Sequence, residues 1–273
     1  MFIRVGLETI PPMTLIAMRV SIAAVLLLIV MRWQGYHLPR DTTTWRHLVV
    51  QSFLNSFGAW ALLAWGQQYV ESGLATVLNS TSPIFVFFIT WTALRQESMS
   101  SKKICGAFLG LGGVVLIIGV DALASLGQEV VGQLAVLMSA FLYGCAAIYG
   151  KRFSNLPPTV TAASVMITAM IVLIPASLIV DEPWTLSPSW ISLGAVLTLG
   201  SFGTGVALLL YFRLIQTLGP LGVASQAYLR MGVGVLLGIF ILGEQFSLVV
   251  GLGLILSIMG VMLINMPDRK MSD

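Results

Sequence analysis

The stretch GAFLGLGGVVLI, residues 106–117, returns 147 positions later as GLILSIMGVMLI, residues 253–264. Gly106 falls on Gly253, Gly113 on Gly260, Val114 on Val261, and Leu116-Ile117 on Leu263-Ile264. Outward in the same register, Leu74 falls on Leu221, Glu97 on Glu244 and Ser100 on Ser247, with no gap from Leu74 to Ile117. A shift of 146 sets Pro11-Pro12 on Pro157-Pro158, each pair opening an apolar run. An internal repeat of this kind divides the chain into two copies, 1–124 and 125–273.

Neither copy has the composition of a soluble domain. Hydrophobic residues make up 57% of the 273 and charged residues 9%, where a soluble domain carries about 25% charged. Mean hydropathy is +0.94. There are too few polar side chains to cover a water-facing surface, so the solvent is lipid. Crossing the bilayer core takes roughly 20 apolar helical residues. Nine runs meet that length, at 13–32, 47–69, 72–95, 103–120, 131–150, 159–180, 190–213, 220–242 and 247–265. Gln34-Gly35, Ser72-Gly73, Asn155 to Pro158, Asp181 to Pro183 and Gly219-Pro220 punctuate the connectors. Ile22 to Met31 and Val114 to Val120 show no polar–apolar alternation, which removes a β-barrel.

Charge orients the spans. Arg32, Arg40, Arg46, Arg95, Lys102, Lys103, Lys151, Arg152, Arg213, Arg269 and Lys270 all fall on one side, eleven of the fourteen Lys and Arg residues. The other side holds Arg4 with Glu8, Glu71, Asp121, Glu129, Asp181, Glu182 and Glu244. Basic loops stay in the cytoplasm, so the C-terminus is expected inside. Trp33, Trp45, Trp184 and Trp190 flank the loops as interfacial anchors.

On this topology the matched Glu97 and Glu244 lie on opposite sides, so the copies are inverted and each unit holds an odd number of helices. The expected fold is an all-α membrane protein: an inverted repeat of five-helix units, with nine full transmembrane helices plus a remnant of the first. A whole apolar helix, Val131 to Gly150, precedes Pro157-Pro158, but only ten residues precede Pro11. Met1 aligns with Ala147, and the chain is expected to begin inside helix one of a five-plus-five parent. Inverted repeats are a hallmark of secondary transporters, whose substrate sites lie near the bilayer midplane where the repeats meet.

The order and register of several motifs resemble the EamA-like ten-helix transporters of the drug/metabolite transporter superfamily. The motifs are Pro11-Pro12 followed by Arg19, Asn79-Ser80-Thr81-Ser82-Pro83 followed by Glu97, Tyr228-Leu229 followed by Leu242-Gly243-Glu244, and the glycine-rich closing helices. The resemblance covers essentially the whole chain. One departure is the lack of a proline near Arg230 and Met231. The resemblance implies export or import of amino acids, amines, drugs or other small metabolites across the cytoplasmic membrane by alternating access.

The residues suggest where such a solute binds. Arg230 lies about ten residues into its span, roughly 15 Å deep, and an arginine at that depth is a functional candidate by default. Gln226 shares its face one turn earlier. The repeat sets Gln226 on Asn79 and Arg230 on Pro83, so two amides occupy matched midplane positions. Trp60, Asn55 and Tyr143 are further lining candidates. The expected substrate-binding set is Arg230, Gln226, Asn79, Trp60, Asn55 and Tyr143, with no catalytic residue, metal or cofactor. Each polar member has an alternative use as helix–helix glue. Arg19 sits nearer the outer end of its span, where it either contacts substrate or snorkels. No Asp or Glu lies within the spans, which favours an anionic solute and facilitated diffusion or exchange over a proton relay.

Partners are then a small-molecule substrate and the bilayer, with no nucleic acid, in a monomer or homodimer. The small residues Gly106, Gly110, Gly253 and Ser257 point to close internal packing, and Gly200, Gly203 and Gly205 to a softened helix or a close neighbour. A channel and an intramembrane enzyme are the alternatives. The second would need a buried acid, base or metal cluster. Cys105 and Cys145 are isolated, and His37 and His47 flank a loop.

Overall fold

The computed structural model describes residues 2–70, 72–92, 101–124, 126–230, 233 and 248–266. Among these, eight helices are long and apolar enough to cross a membrane, and no described residue is in a strand. They coincide with eight of the nine expected spans. The remaining one, 220–242, is described only through residue 230 and at 233.

In chain order the helices are α1 (Phe2–Leu7), α2 (Pro12–Trp33), α3 (Thr42–Ser52), α4 (Gly58–Gly66), α5 (Ser72–Asn79), α6 (Ser82–Thr92), α7 (Ser101–Ile118), α8 (Val130–Gly150), α9 (Pro158–Val180), α10 (Trp190–Gly200) and α11 (Ala207–Ala224). A short α12 spans 226–230, and α13 is Leu248–Asn265. The starts are written locally. Pro12 and Pro158 sit at the first turns of α2 and α9, where a missing N–H costs nothing. Asp41 caps α3 through the Thr43 and Thr44 amides, and Ser189 caps α10 through that of Ser192. Inside α11, Gly219 takes φ 74°, a left-handed conformation that suits glycine, and Pro220 restarts the helix.

Two π-helical turns interrupt the α-ladder, Phe53–Phe57 between α3 and α4 and Ser201–Val206 between α10 and α11. The second falls on the glycines expected to soften that span. Both belong to the first of two compact units, Met1–Phe57 with Arg152–Gln216; the second comprises Gly58–Lys151 with Thr217–Asp273. Each unit takes helices from both sequence copies.

In the first unit α2 and α9, which the 146-residue shift superposes, pack antiparallel. The Thr14 and Ser177 hydroxyls share a hydrogen bond of 2.9 Å at one end, and the Thr159 hydroxyl donates to Gln34 Oε1 at 2.8 Å at the other. An Asp181 carboxylate oxygen accepts from the Thr14 amide at 2.6 Å, tying the end of α9 to the start of α2. Ser52 Oγ donates to the Val165 carbonyl at 2.9 Å, which ties α3 to α9. At Gly200 an added Cβ would lie 2.9 Å from the Arg19 carbonyl oxygen, so α10 approaches α2 at backbone distance.

In the second unit α7 and α13, which the 147-residue shift superposes, cross antiparallel through their glycines. A Cβ at Gly106 would meet the Gly260 carbonyl oxygen at 2.8 Å, and one at Gly253 the Gly113 carbonyl oxygen at 2.8 Å. A Cβ at Gly113 would meet the Gly253 carbonyl oxygen, and one at Gly260 the Gly106 carbonyl oxygen, both at 2.6 Å. Superposed positions thus have equal contacts on opposite helices. Lipid tails are as apolar as leucine, so such association rests on close van der Waals contact rather than on the hydrophobic effect. Elsewhere in the unit α4 packs on α8, where Ser139 Oγ donates to the Ala59 carbonyl at 2.8 Å.

Candidate functional site

The second unit contains two interrupted helices. The expected continuous span 72–95 is broken: α5 ends at Asn79, Ser80 and Thr81 form a turn, and α6 begins at Ser82. The cause is Pro83, which has no N–H to give the Asn79 carbonyl. The Ser80 hydroxyl bonds back to the Thr76 carbonyl at 2.8 Å and that of Thr81 to Leu78 at 2.6 Å, which satisfies carbonyls near the break. The second interruption is a turn at Ser225, between α11 and α12. No proline causes it. Ser225 Oγ donates to the Gly222 carbonyl at 2.7 Å, and Asn265 Nδ2, from α13, donates to Ser225 Oγ at 3.3 Å. Gly222 leaves room for this, since a Cβ there would lie 2.6 Å from Asn265 Oδ1.

The two amides expected to match sit at these two breaks. Asn79 is the last residue before the first turn, and Gln226 is the first residue after the second. Asn79 is buried, 9% exposed, and its Oδ1 has no hydrogen-bond partner. Gln226 and Arg230 are both exposed, one turn apart on the same face of α12. This face of α12 thus carries two polar side chains.

Trp60 and Tyr143 also belong to the second unit and are half-buried. Trp60 follows Ala59, whose carbonyl accepts from Ser139, and Tyr143 lies one turn beyond Ser139 on α8. Five of the six expected residues therefore share one unit. Asn55 belongs to the first unit: it is buried, 6% exposed, within the π turn Phe53–Phe57.

Two features went unread in the sequence. Arg19, on α2, donates through Nε to Thr204 Oγ1 at 2.5 Å. Thr204 lies in the second π turn, and its hydroxyl also reaches the Leu199 carbonyl, five residues back, at 3.2 Å. Arg19 is thereby bound to a helix irregularity in the first unit. Also in that unit, a cavity of about 450 Å³ opens between the Thr14 end of α2 and the Ser177 end of α9. Its walls are mostly apolar, among them Ile10, Met18, Ile22 and Leu178, and it touches none of the six expected residues.

A family model described as the EamA-like transporter family matches residues 1–119 and 130–266. A protein of Escherichia coli (strain K12) named "Uncharacterized inner membrane transporter YedA" is 28% identical over 97% of this chain and 85% of its own length. "Uncharacterized transporter YoaV" of Bacillus subtilis (strain 168) is 28% identical over 94% of this chain and 88% of its own. A solved structure, titled only "Crystal structure of protein", superposes with a TM-score of 0.78 at 18% identity, covering 93% of this chain and 88% of that one. At that identity the likeness speaks to the fold alone.

Proposed function

The chain belongs to the EamA-like transporter family and is a multi-pass membrane transporter, and from that premise we propose that it exports a small metabolite with an anionic group across the cytoplasmic membrane by alternating access. The proposed architecture is two inverted five-helix repeats, 1–124 and 125–273, with the C-terminus in the cytoplasm. The protein acts as a monomer or homodimer in the bacterial inner membrane.

The observation that carries this reading is the pair of interrupted helices with an amide at each break, Asn79 and Gln226, 147 positions apart. Interrupted apolar segments at corresponding positions of two halves are the best sequence-level pointer to a transporter binding site. The breaks supply polar backbone and side chains at membrane depth, which is tolerated only where the chain lines a cavity or is buried in protein. Asn79 Oδ1 offers an acceptor to a solute donor, Gln226 offers both donor and acceptor, and Arg230 offers the cation. Trp60 and Tyr143 supply aromatic walls. The antiparallel packing of the superposed pairs α2–α9 and α7–α13 supports the inverted relation.

The test compares extracellular metabolite profiles of cells overproducing the protein with those of a deletion strain. Arg230→Gln and Arg230→Glu should erase the difference for carboxylate-bearing metabolites while the protein still reaches the membrane. Carboxylate export that survives Arg230→Glu would overturn the anionic assignment. With no carboxylate in the spans, transport proceeds by facilitated diffusion or exchange. An imposed pH gradient should change the rate little, and a strong acceleration would overturn that part.

A further inference from the structure

We propose that Tyr228 is a positioning residue, the peg that fixes the rotation of α12 about its own axis and so aims Gln226 and Arg230. This rests on the reading above that those two side chains meet the solute. Tyr228 is 0% exposed. Its hydroxyl donates to the Ala107 carbonyl of α7 at 2.9 Å. Its ring fills a notch at Gly110, where an added Cβ would lie 2.3 and 2.4 Å from ring carbons Cδ2 and Cε2. Val77, Ala107, Val114 and Ile264 complete the apolar cluster around it.

Helical geometry turns this contact into an aim. Residues two apart differ by about 200° around a helix. Gln226 and Arg230 each stand two positions from Tyr228, so burying the tyrosine against α7 turns both to the opposite side. Both are exposed there, while Ala227 is 9% exposed. The break makes the peg necessary. A helix that continued unbroken from α11 would inherit its rotation from the preceding turns. Here the turn at Ser225 intervenes, and the Tyr228 amide reaches only three residues back, to the Ser225 carbonyl at 3.1 Å. The notch is firm, because Gly110 sits at the α7–α13 crossing, where a Cβ at Gly260 would lie 2.6 Å from its amide nitrogen.

The experiment reads rotation directly, without a known substrate. Gln226→Cys, Leu229→Cys and Arg230→Cys are introduced singly into a Cys105→Ala/Cys145→Ala background. Each is labelled in membranes with a charged, membrane-impermeant thiosulfonate. With Tyr228 in place, the proposed aim turns 226 and 230 to water and 229 towards lipid, so the first two should react about tenfold faster than the third, because a thiol in water ionises and one in lipid does not. Tyr228→Ala should lower the first two and raise the third, collapsing the ratio towards one. Gly110→Ala, which evicts the ring, should do the same. Tyr228→Phe keeps the ring in the notch and should keep the ratio within about twofold, since only one hydrogen bond is lost. General loosening would raise all three rates together, and that outcome, or an unchanged ratio in Tyr228→Ala, overturns the proposal. Slow reaction at 226 and 230 with Tyr228 intact would instead overturn the site reading and this inference with it.

Discussion

Replacing Gly113 by alanine would test whether the α7–α13 crossing holds the second unit together. The new Cβ would stand 2.6 Å from the Gly253 carbonyl oxygen, about 0.8 Å short of ordinary contact at 3.4 Å, and closer still to Ser257 Oγ. The Ser257 hydroxyl can rotate away, but the Gly253 carbonyl oxygen and the Ser257 amide nitrogen, both at 2.6 Å, are backbone, so the helix axes must separate. Overpacking of this kind costs about 1–3 kcal/mol, and here separation also weakens the Gly106–Gly260 contact at the other end of the crossing. The superposed substitution, Gly260→Ala, meets the Gly106 carbonyl oxygen at the same 2.6 Å and should cost as much. Gly106→Ala and Gly253→Ala, at 2.8 Å, should each cost less. Gly113→Ala combined with Gly253→Ala should be sub-additive, since one separation relieves both; the expected coupling is about 0.5–3 kcal/mol. Gly112→Ala is the internal control. Nothing lies within 4 Å of a Cβ there, and alanine exceeds glycine in helix propensity by about 0.8–1 kcal/mol, so it should not destabilise. Unfolding in mixed micelles, followed by tryptophan fluorescence, gives each free energy. Full additivity of the facing pair, or equal losses at 112 and 113, would refute the reasoning.

Other substitutions probe single contacts. Thr204→Val removes the acceptor of Arg19 Nε and should destabilise the first unit by about 1.5–3 kcal/mol, the range for hydrogen bonds to charged groups; the same micelle titration measures it. Ser139→Ala deletes the bond to the Ala59 carbonyl and should cost about 0.6 kcal/mol, the average for such interhelical bonds. At the start of α3, donation from the Thr44 hydroxyl, then from the Thr44 and Thr43 amides, holds the Asp41 carboxyl below its ordinary value. A depressed carboxyl stabilises the folded cap above its unfolded pKa, and that contribution is lost as pH falls through the folded value. Amide exchange at Thr43 and Thr44 should therefore gain protection with rising pH across the carboxylate range, after correction for intrinsic rates, and Asp41→Ala should abolish the effect.

Eight of the nine expected spans were legible because length and apolarity alone decide them. The Gly106–Gly260 contact was half-legible: small residues at spacing four announced close packing, and the repeat paired Gly106 with Gly253, but which glycine faces which is a matter of antiparallel crossing. The break after Asn79 has a local signal in Pro83, passed over because the apolar run on either side reads as one span. The break at Ser225 has no proline to announce it, and the residue that bonds to it, Asn265, is forty positions away. Tyr228 was legible only as a motif letter; an aromatic in an apolar run does not disclose that a glycine notch receives it. Asn55 shares a span with Trp60 but falls in the other compact unit, because linear depth in a span says nothing about which helices gather round a residue.

The two π turns begin 148 positions apart, at Phe53 and Ser201. A bond from residue i to i+5 instead of i+4 accommodates one residue more than the α-ladder needs. A single-residue insertion makes such a turn, and a single deletion erases it. The second turn begins one position beyond where a shift of 147 carries the first, and two beyond a shift of 146, so the surplus residue stands at nearly matching places in the two halves of the sequence. The residues within the turns differ, with Asn55 and Ser56 in one and Thr204, bound to Arg19, in the other. The same backbone irregularity thus carries different polar side chains in the two halves.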